Sequence, residues 1–369
     1  MKRPPAALAH LTAELERLQA ADRLRVRPEP APRLSFASND YLGLATRPAA
    51  TGQSGAGASR LIVGEHQAHR DLERALGDWL QAEDALLFSS GYAANVGCLS
   101  ALLHPDDRVV SDALNHASII DGIRLSRAEV VVVPHLDLPA VAAALSAPRR
   151  GRAWVVTESY FSMDADTPDL RELRLLCDRH GAGLIVDEAH ALGVRGPDGR
   201  GGCAAAGIEP DVLVGTLGKA LGASGAFAAG CRALTHWLWN RARSFVFSTG
   251  MSPAVAHTAL AHLELARREP ALRERVLGLA SRFRAGLTGL GADLLGEGHI
   301  IPWVLGGEAR ALRAATELRR RGVHAVAVRP PTVPSGTSRV RFTITAAHDE
   351  ASVDHAVAMV AETLQCLDG

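Results

Sequence analysis

Lysine is almost missing from this sequence. Among its 40 basic side chains outside histidine, Lys2 and Lys219 are the only lysines, and the rest are arginine. Any chemistry that needs a lysine amine therefore has two addresses, and Lys2 lies in the N-terminal tail. Net charge is missing too. The 40 acidic residues cancel the 40 basic ones, which excludes the broad basic footprint of a nucleic-acid or anionic-membrane binder. No apolar run approaches the roughly 18 residues that a transmembrane helix needs. The N-terminal stretch carries charges where a signal peptide would be apolar. Cysteine is sparse: Cys98, Cys177, Cys203, Cys231 and Cys366 are scattered, with no CxxC. That spacing fits reduced thiols in a cytoplasmic protein, not a disulfide frame or a metal site.

What is present is apolar bulk. Hydrophobic residues make up 47% of the 369 and charged residues 22%, enough for a large core and for two domains with a short extra arm. Residues 5–25 read as an amphipathic helix with Leu8, Leu11, Leu15 and Leu18 at helical spacing, ended by Pro28, Pro30 and Pro32. A brief apolar stretch follows at 34–37, then a glycine-rich loop. Residues 66–81 read as a helix with Leu72, Leu76, Trp79 and Leu80 on one face. From 83 to 230, short apolar runs alternate with helical stretches: 85–88, 109–111, 130–133, 153–157, 183–186, 212–215 and 225–229. They are continuously hydrophobic, as strands buried on both faces of a mostly parallel sheet are. Residues 233–247 and 252–290 are helical. Strands are expected at 300–305, 323–328 and 338–345, and a last helix at 349–366.

Two motifs carry chemistry. Leu184-Ile-Val-Asp187-Glu-Ala-His190 delivers an aspartate to the C-terminal end of a strand, where ligands sit in parallel α/β sheets. An Asp capping the next helix would look the same. A helicase box would need an upstream G-x-x-x-x-G-K-[ST], and Gly218-Lys219 is downstream and wrongly spaced. The second motif is Val214-Gly-Thr216-Leu-Gly-Lys219-Ala-Leu-Gly222. A lysine among small and apolar residues is partly desolvated, which lowers its pKa and frees a neutral amine for Schiff-base chemistry.

Together the motifs resemble a pyridoxal-phosphate enzyme of the aspartate-aminotransferase fold. The fuller resemblance, from Asn39-Asp-Tyr-Leu-Gly to the last helix, is to the α-oxoamine synthase family. Arg329-Pro-Pro-Thr332-Val-Pro and Thr345-Ala-Ala-His348 are similar to its biotin-synthesis branch. That branch condenses L-alanine with a pimeloyl thioester, carried on CoA or a carrier protein.

The resemblance implies a fold-type-I α/β chain with a seven-strand, mostly parallel sheet. Its parts would be an N-terminal arm (1–38), a large cofactor-binding domain (39–250) and a small C-terminal α/β domain (251–369). It makes Lys219 the Schiff-base lysine and acid/base, and Asp187 the partner of the pyridine nitrogen. His190 and Ser162 would bond the phenolic oxygen, and His116, otherwise an ordinary loop histidine, would stack over the ring. Gly91, Tyr92 and Thr216 would bind the phosphate, where a helix N-terminus favours an anion. Thr249 would reach it from the neighbouring subunit of a homodimer. The amino-acid carboxylate would take a bidentate arginine. Arg341 is the choice, helped by Asn39, with Arg339 and Arg329 as rivals; strand alternation sends 339 and 341 to one face. Arg25 and Thr332 would sit near the acyl chain, although Arg23 and Arg27 beside Arg25 also suit a solvated surface.

Two stretches, before Ser35 and after Pro48, are shorter than the family pattern, and a helix before the Gly-Ala-Ser-Arg loop is largely missing. The rival readings are a different α-oxoamine synthase, such as glycine C-acetyltransferase, or a catalytically silent subunit that only binds a partner. Retention of both Lys219 and Asp187 argues against the second.

Overall fold

The computed structural model describes residues 6–25, 27 and 34–368. Lys2, Pro28, Pro30 and Pro32 lie outside them. A two-residue strand, β1 (Leu34–Ser35), precedes the main sheet. The sheet is built from β2 (Asp84–Phe88), β3 (Arg108–Asp112), β4 (Glu129–Val133), β5 (Ala153–Glu158), β6 (Gly183–Asp187), β7 (Val212–Thr216) and β8 (Ala226–Gly230). Every strand expected from the sequence between 83 and 230 is found, within one residue at either end. The order is β2-β8-β7-β6-β5-β3-β4. β8 runs antiparallel to both neighbours, and the other pairs are parallel.

The continuous apolar runs fill two helix layers. Leu184 and Val186 of β6 pack with Leu170, Leu173 and Cys177 on one face, while Ile185 packs with Ala94, Cys98 and Leu99 on the other. Strand β4 departs from the expected burial: Val130 and Val132 are 48% and 62% exposed. It is the edge strand, with a neighbour on one side only. The chain runs from β3 out to β4 and then crosses back over β3 to β5. That reversal opens a crevice at the C-terminal ends of the strands, the place where such sheets bind ligands.

A second, antiparallel sheet joins β9 (Ile300–Gly306), β11 (Val326–Val328) and β12 (Ser338–Thr343) in the order β11-β12-β9. The run expected as one strand at 323–328 is split at Ala325 into β10 (Val323–His324) and β11. β10 pairs in parallel with β1, which brings Leu34 and Ser35 to this end of the molecule. Phe36, Phe283, Trp303 and Phe342 form the core here, under the helices Pro270–Gly289, Glu308–Arg320 and Glu350–Asp368. The helix Pro253–Arg268 instead packs beside the main sheet, with Ala256, Ala259 and Leu263 against Leu72 and Leu76.

The N-terminal helix is His10–Ala20, shorter than expected. A left-handed Asp22 (φ 54°) turns the chain, and the Arg23 and Leu24 N–H groups close on the Leu18 carbonyl. Leu8, Leu11, Leu15 and Leu18 are each 42–51% exposed. No helix or strand forms between Ser35 and Gln67, in keeping with the shortened stretch read after Pro48. None of the described helices is long and apolar enough to cross a membrane.

Candidate active site

The strands β3, β5, β6 and β7 all end at the crevice, and each ends in a polar residue. Asp187 closes β6. Its Oδ1 accepts the Ala189 N–H (2.8 Å) and its Oδ2 accepts Asn95 Nδ2–H (2.7 Å). Asn95 is buried on the helix Gly91–Leu102 and donates its second amide proton to Ser118 Oγ (3.0 Å). Ser118 Oγ lies 2.7 Å from His116 Nδ1. One hydrogen-bonded chain thus links Asp187 to His116, which caps the helix Ala117–Ser126.

Glu158 closes β5 in register with Asp187. It is buried, and its Oε1 accepts the His116 backbone N–H (2.8 Å). Burial, reinforced by the neighbouring Asp187 charge, pushes its carboxyl up to about 8. Lys219 follows β7. Its amine has no hydrogen-bond partner among the described residues. Burial pushes that amine down to about 8, with Arg341 acting in the same sense and with Asp187 and Glu158 opposing. The direction of the shift, toward a neutral amine, is the one that the apolar sequence around Lys219 implied.

His190, three residues beyond Asp187, is buried; burial and the nearby Lys219 and Arg341 charges hold it well below its ordinary value, so the ring is neutral. Its Nδ1 lies 2.7 Å from the Tyr41 hydroxyl, which is itself 3.2 Å from Asn39 Oδ1. Asn39 Oδ1 also accepts Arg341 Nη2–H (3.2 Å), and Arg341 Nε–H donates to the Ser162 carbonyl (2.8 Å). Arg341 Nη1 has no hydrogen-bond partner among the described residues, and the guanidinium also acts on the neighbouring Tyr41 hydroxyl. Arg339 differs. It is 2% exposed, paired with Asp164 (2.8 Å), and bonded to the Met163 carbonyl and to Thr337. The two guanidinium groups thus differ in their surroundings: Arg339 is paired with a carboxylate, whereas Arg341 bonds only neutral groups among the described residues.

The helix Gly91–Leu102 opens toward the same place. Ser90 Oγ caps it by accepting the Ala93 N–H (3.1 Å). A methyl group on Gly91 would meet nothing closer than Thr216 Cβ at 3.9 Å. Thr216 Oγ1 accepts the Gly218 N–H and donates to the Gly225 carbonyl. Tyr92 is 48% exposed, with its hydroxyl on Asp121. Thr249 is exposed. Arg25 and Thr332 meet each other, Nη2 to Oγ1 at 3.5 Å.

Asn95, Glu158 and Tyr41 belong to this network but were not singled out from the sequence. Signals for them existed. Asn95 stands one helical turn after Gly91, hence on its face. Glu158 ends an apolar strand as Asp187 does. Tyr41 lies two residues beyond Asn39. The ensemble suits a flat, anionic, carbonyl-bearing cofactor. It offers an unpartnered amine, a buried carboxylate for a cationic ring N–H, and an open helix N-terminus with a hydroxyl for a phosphate.

Fold and site together define a fold-type-I pyridoxal-phosphate-dependent transferase, and residues 31–360 match the aminotransferase class I and II family. Within that class, the chain belongs to the 8-amino-7-oxononanoate synthase family. A synthase of that name from Anaeromyxobacter dehalogenans (strain 2CP-1 / ATCC BAA-258) is 49% identical over 382 residues, covering 97% of this chain and 96% of the relative. Among solved structures, serine palmitoyltransferase from Sphingomonas wittichii superposes with a TM-score of 0.91 at 28% identity, covering 98% of both chains. A serine palmitoyltransferase described "with PLP internal aldimine" also gives 0.91 at 28% identity and 98% coverage of both.

Proposed function

We propose that this chain catalyses the decarboxylative condensation of L-alanine with a pimeloyl thioester, giving 8-amino-7-oxononanoate, CO2 and a free thiol. The observation that carries this reading is the unpartnered Lys219 amine, set among Asp187, Glu158 and Arg341, in a chain of this family. The cofactor is pyridoxal phosphate, which when bound supplies a ring that accepts the electron pair left on an amino-acid α-carbon.

Asp187 would face the ring nitrogen, with its carboxylate held in place by Asn95 and the Ala189 N–H. Ser162 and His190 would meet the phenolic oxygen, and His116 would cover the ring face and exclude water. Gly91, Tyr92 and Thr216 would hold the phosphate, with Thr249 contributed by a second copy in a homodimer. Exposed Ile62, Val63 and Phe247, at 75%, 68% and 72%, suit such a partner.

Arg341 and Asn39 bind the alanine carboxylate. Neutral Lys219 takes the α-proton. The α-carbon then bonds to the thioester carbonyl carbon, and the C–S bond breaks with its electron pair on sulfur. The bond to the carboxylate breaks next, releasing CO2, and Lys219 returns a proton to the α-carbon. Arg25 and Thr332 lie at the acyl end. The thiol belongs to CoA or to a carrier protein, and the compartment is the cytoplasm.

The test is mass spectrometry of the product after incubation with pyridoxal phosphate, L-alanine and pimeloyl-CoA. A species with the mass of 8-amino-7-oxononanoate is expected. A preference for glycine with acetyl-CoA, or for serine with palmitoyl-CoA, overturns the reading.

A further inference from the structure

His135 sits just beyond β4, outside the groups used so far, yet both of its ring nitrogens are engaged by carboxylates. Nδ1 lies 2.8 Å from Asp112 Oδ1 and Nε2 lies 3.0 Å from Asp166 Oδ2. A neutral imidazole has one N–H and can donate to only one of them; an imidazolium donates to both. Accordingly, the two carboxylates outweigh the cost of burial and push the ring up to about 10.

The two carboxylates belong to different loops. Asp112 ends β3 and starts the turn that leads to His116; its oxygens also accept the Leu114 and Leu136 N–H groups. Asp166 closes the turn that carries Ser162. Its carbonyl accepts the Phe161 N–H, and the Phe161 carbonyl accepts the Ala165 N–H. The His135 ring also stands edge-on against Phe161, with centroids 4.5 Å apart. Among the described residues the other carboxylate oxygen of Asp166, Oδ1, is buried with no hydrogen-bond partner, and the carboxylate pairs with the His135 ring. Two non-glycine residues beside the ring, Leu136 and Ala165, have φ of 57° and 58°. Backbone in that region persists where the surroundings over-determine it.

We infer that His135 is a positioning residue: shared between Asp112 and Asp166, its ring ties the loop of His116 to the loop of Ser162, and through the Ser162 carbonyl it aims Arg341. The inference rests on the reading of Arg341 as the carboxylate-binding residue. A buried ion-pair network breaks sharply when its central charge is removed, because the remaining carboxylates are left uncompensated.

The experiment compares holoenzyme of wild type, His135→Phe and Asp166→Asn by amide hydrogen exchange and by steady-state kinetics. His135→Phe keeps the packing on Phe161 and loses both bonds. Exchange over residues 112–116 and 159–166 is expected to quicken about tenfold, with the helix Leu170–His180 unchanged. KM for alanine is expected to rise about tenfold with a smaller change in kcat. Asp166→Asn, which keeps the ring and one carboxylate, should quicken only 159–166, and it decides the matter if His135→Phe does not fold. Unchanged exchange, or quickening spread evenly over the molecule, overturns the inference. So does local quickening with an unchanged alanine KM. Arg341→Lys serves as the control: if it leaves that KM untouched, the carboxylate reading has failed, and the clamp then stands or falls on exchange alone.

Discussion

Asp187 can serve a protonated ring nitrogen only while its carboxylate keeps both its charge and its direction. Asp187→Asn keeps the shape and removes the charge. It should still load pyridoxal phosphate, seen by its visible absorption, but kcat should fall by about a hundredfold or more, because a preorganised charge is lost from a water-poor site. Direction comes from Asn95, whose amide spans Asp187 and Ser118. A hydrogen bond to a charged group is worth about 1.5–3 kcal/mol. Asn95→Ala should therefore lower kcat/KM about ten- to a hundredfold, with the cofactor still bound; kinetics at saturating cofactor check this. For Lys219 the assignment is checked chemically. Borohydride reduction of the loaded protein and peptide mapping should find the pyridoxyl group on Lys219 and none on Lys2.

At the scale of elements, the site is a set of strand ends, which is why much of it was readable. A run such as Leu184-Ile-Val is apolar at every position because both faces of β6 are covered, so the first polar residue after it marks the crevice. What pairs with that residue was not readable. Asn95 and Asp187 are 92 positions apart, and His135 and Asp166 are 31 apart; sheet order, which local pattern does not encode, brings them together. The same holds for β4, whose valines read like core but lie at an edge. His135 adds a pH dependence at this scale. Its ring, ordinarily near 6.5, is raised to about 10 in the fold. The stabilisation it provides is complete below about pH 6.5 and is lost as pH rises through about 10. The Tm difference between wild type and His135→Phe should therefore be widest near pH 6 and close toward pH 10. Thermal unfolding across that range checks it, and a constant difference would mean that the ring is not charged in the folded state.

At the scale of the whole molecule, the chain folds back so that its first segment meets its last third. β1 pairs with β10, and Arg25 reaches Thr332 across 307 positions. This return places a cation from the N-terminal segment beside the Arg329-Pro-Pro-Thr332 loop, the stretch on which the branch resemblance rested. A pimeloyl chain ends in a carboxylate, so it needs a charged or polar group far from the reacting carbonyl. Heptanoyl has the same length and no such end group. Arg25→Ala removes the cation and leaves Thr332 in place. For pimeloyl-CoA the loss of one charge-assisted bond, about 1.5–3 kcal/mol, should lower kcat/KM about ten- to a hundredfold. For heptanoyl-CoA it should change little. Arg25 is exposed, and water shares its charge, which places the expected effect toward the lower end of that range. The ratio of the two substrates, measured in wild type and variant, isolates the terminal carboxylate from general acyl binding. An equal fall for both would make Arg25 a packing contact of the arm, and an unchanged ratio with unchanged rates would move recognition of the acyl terminus elsewhere in the molecule.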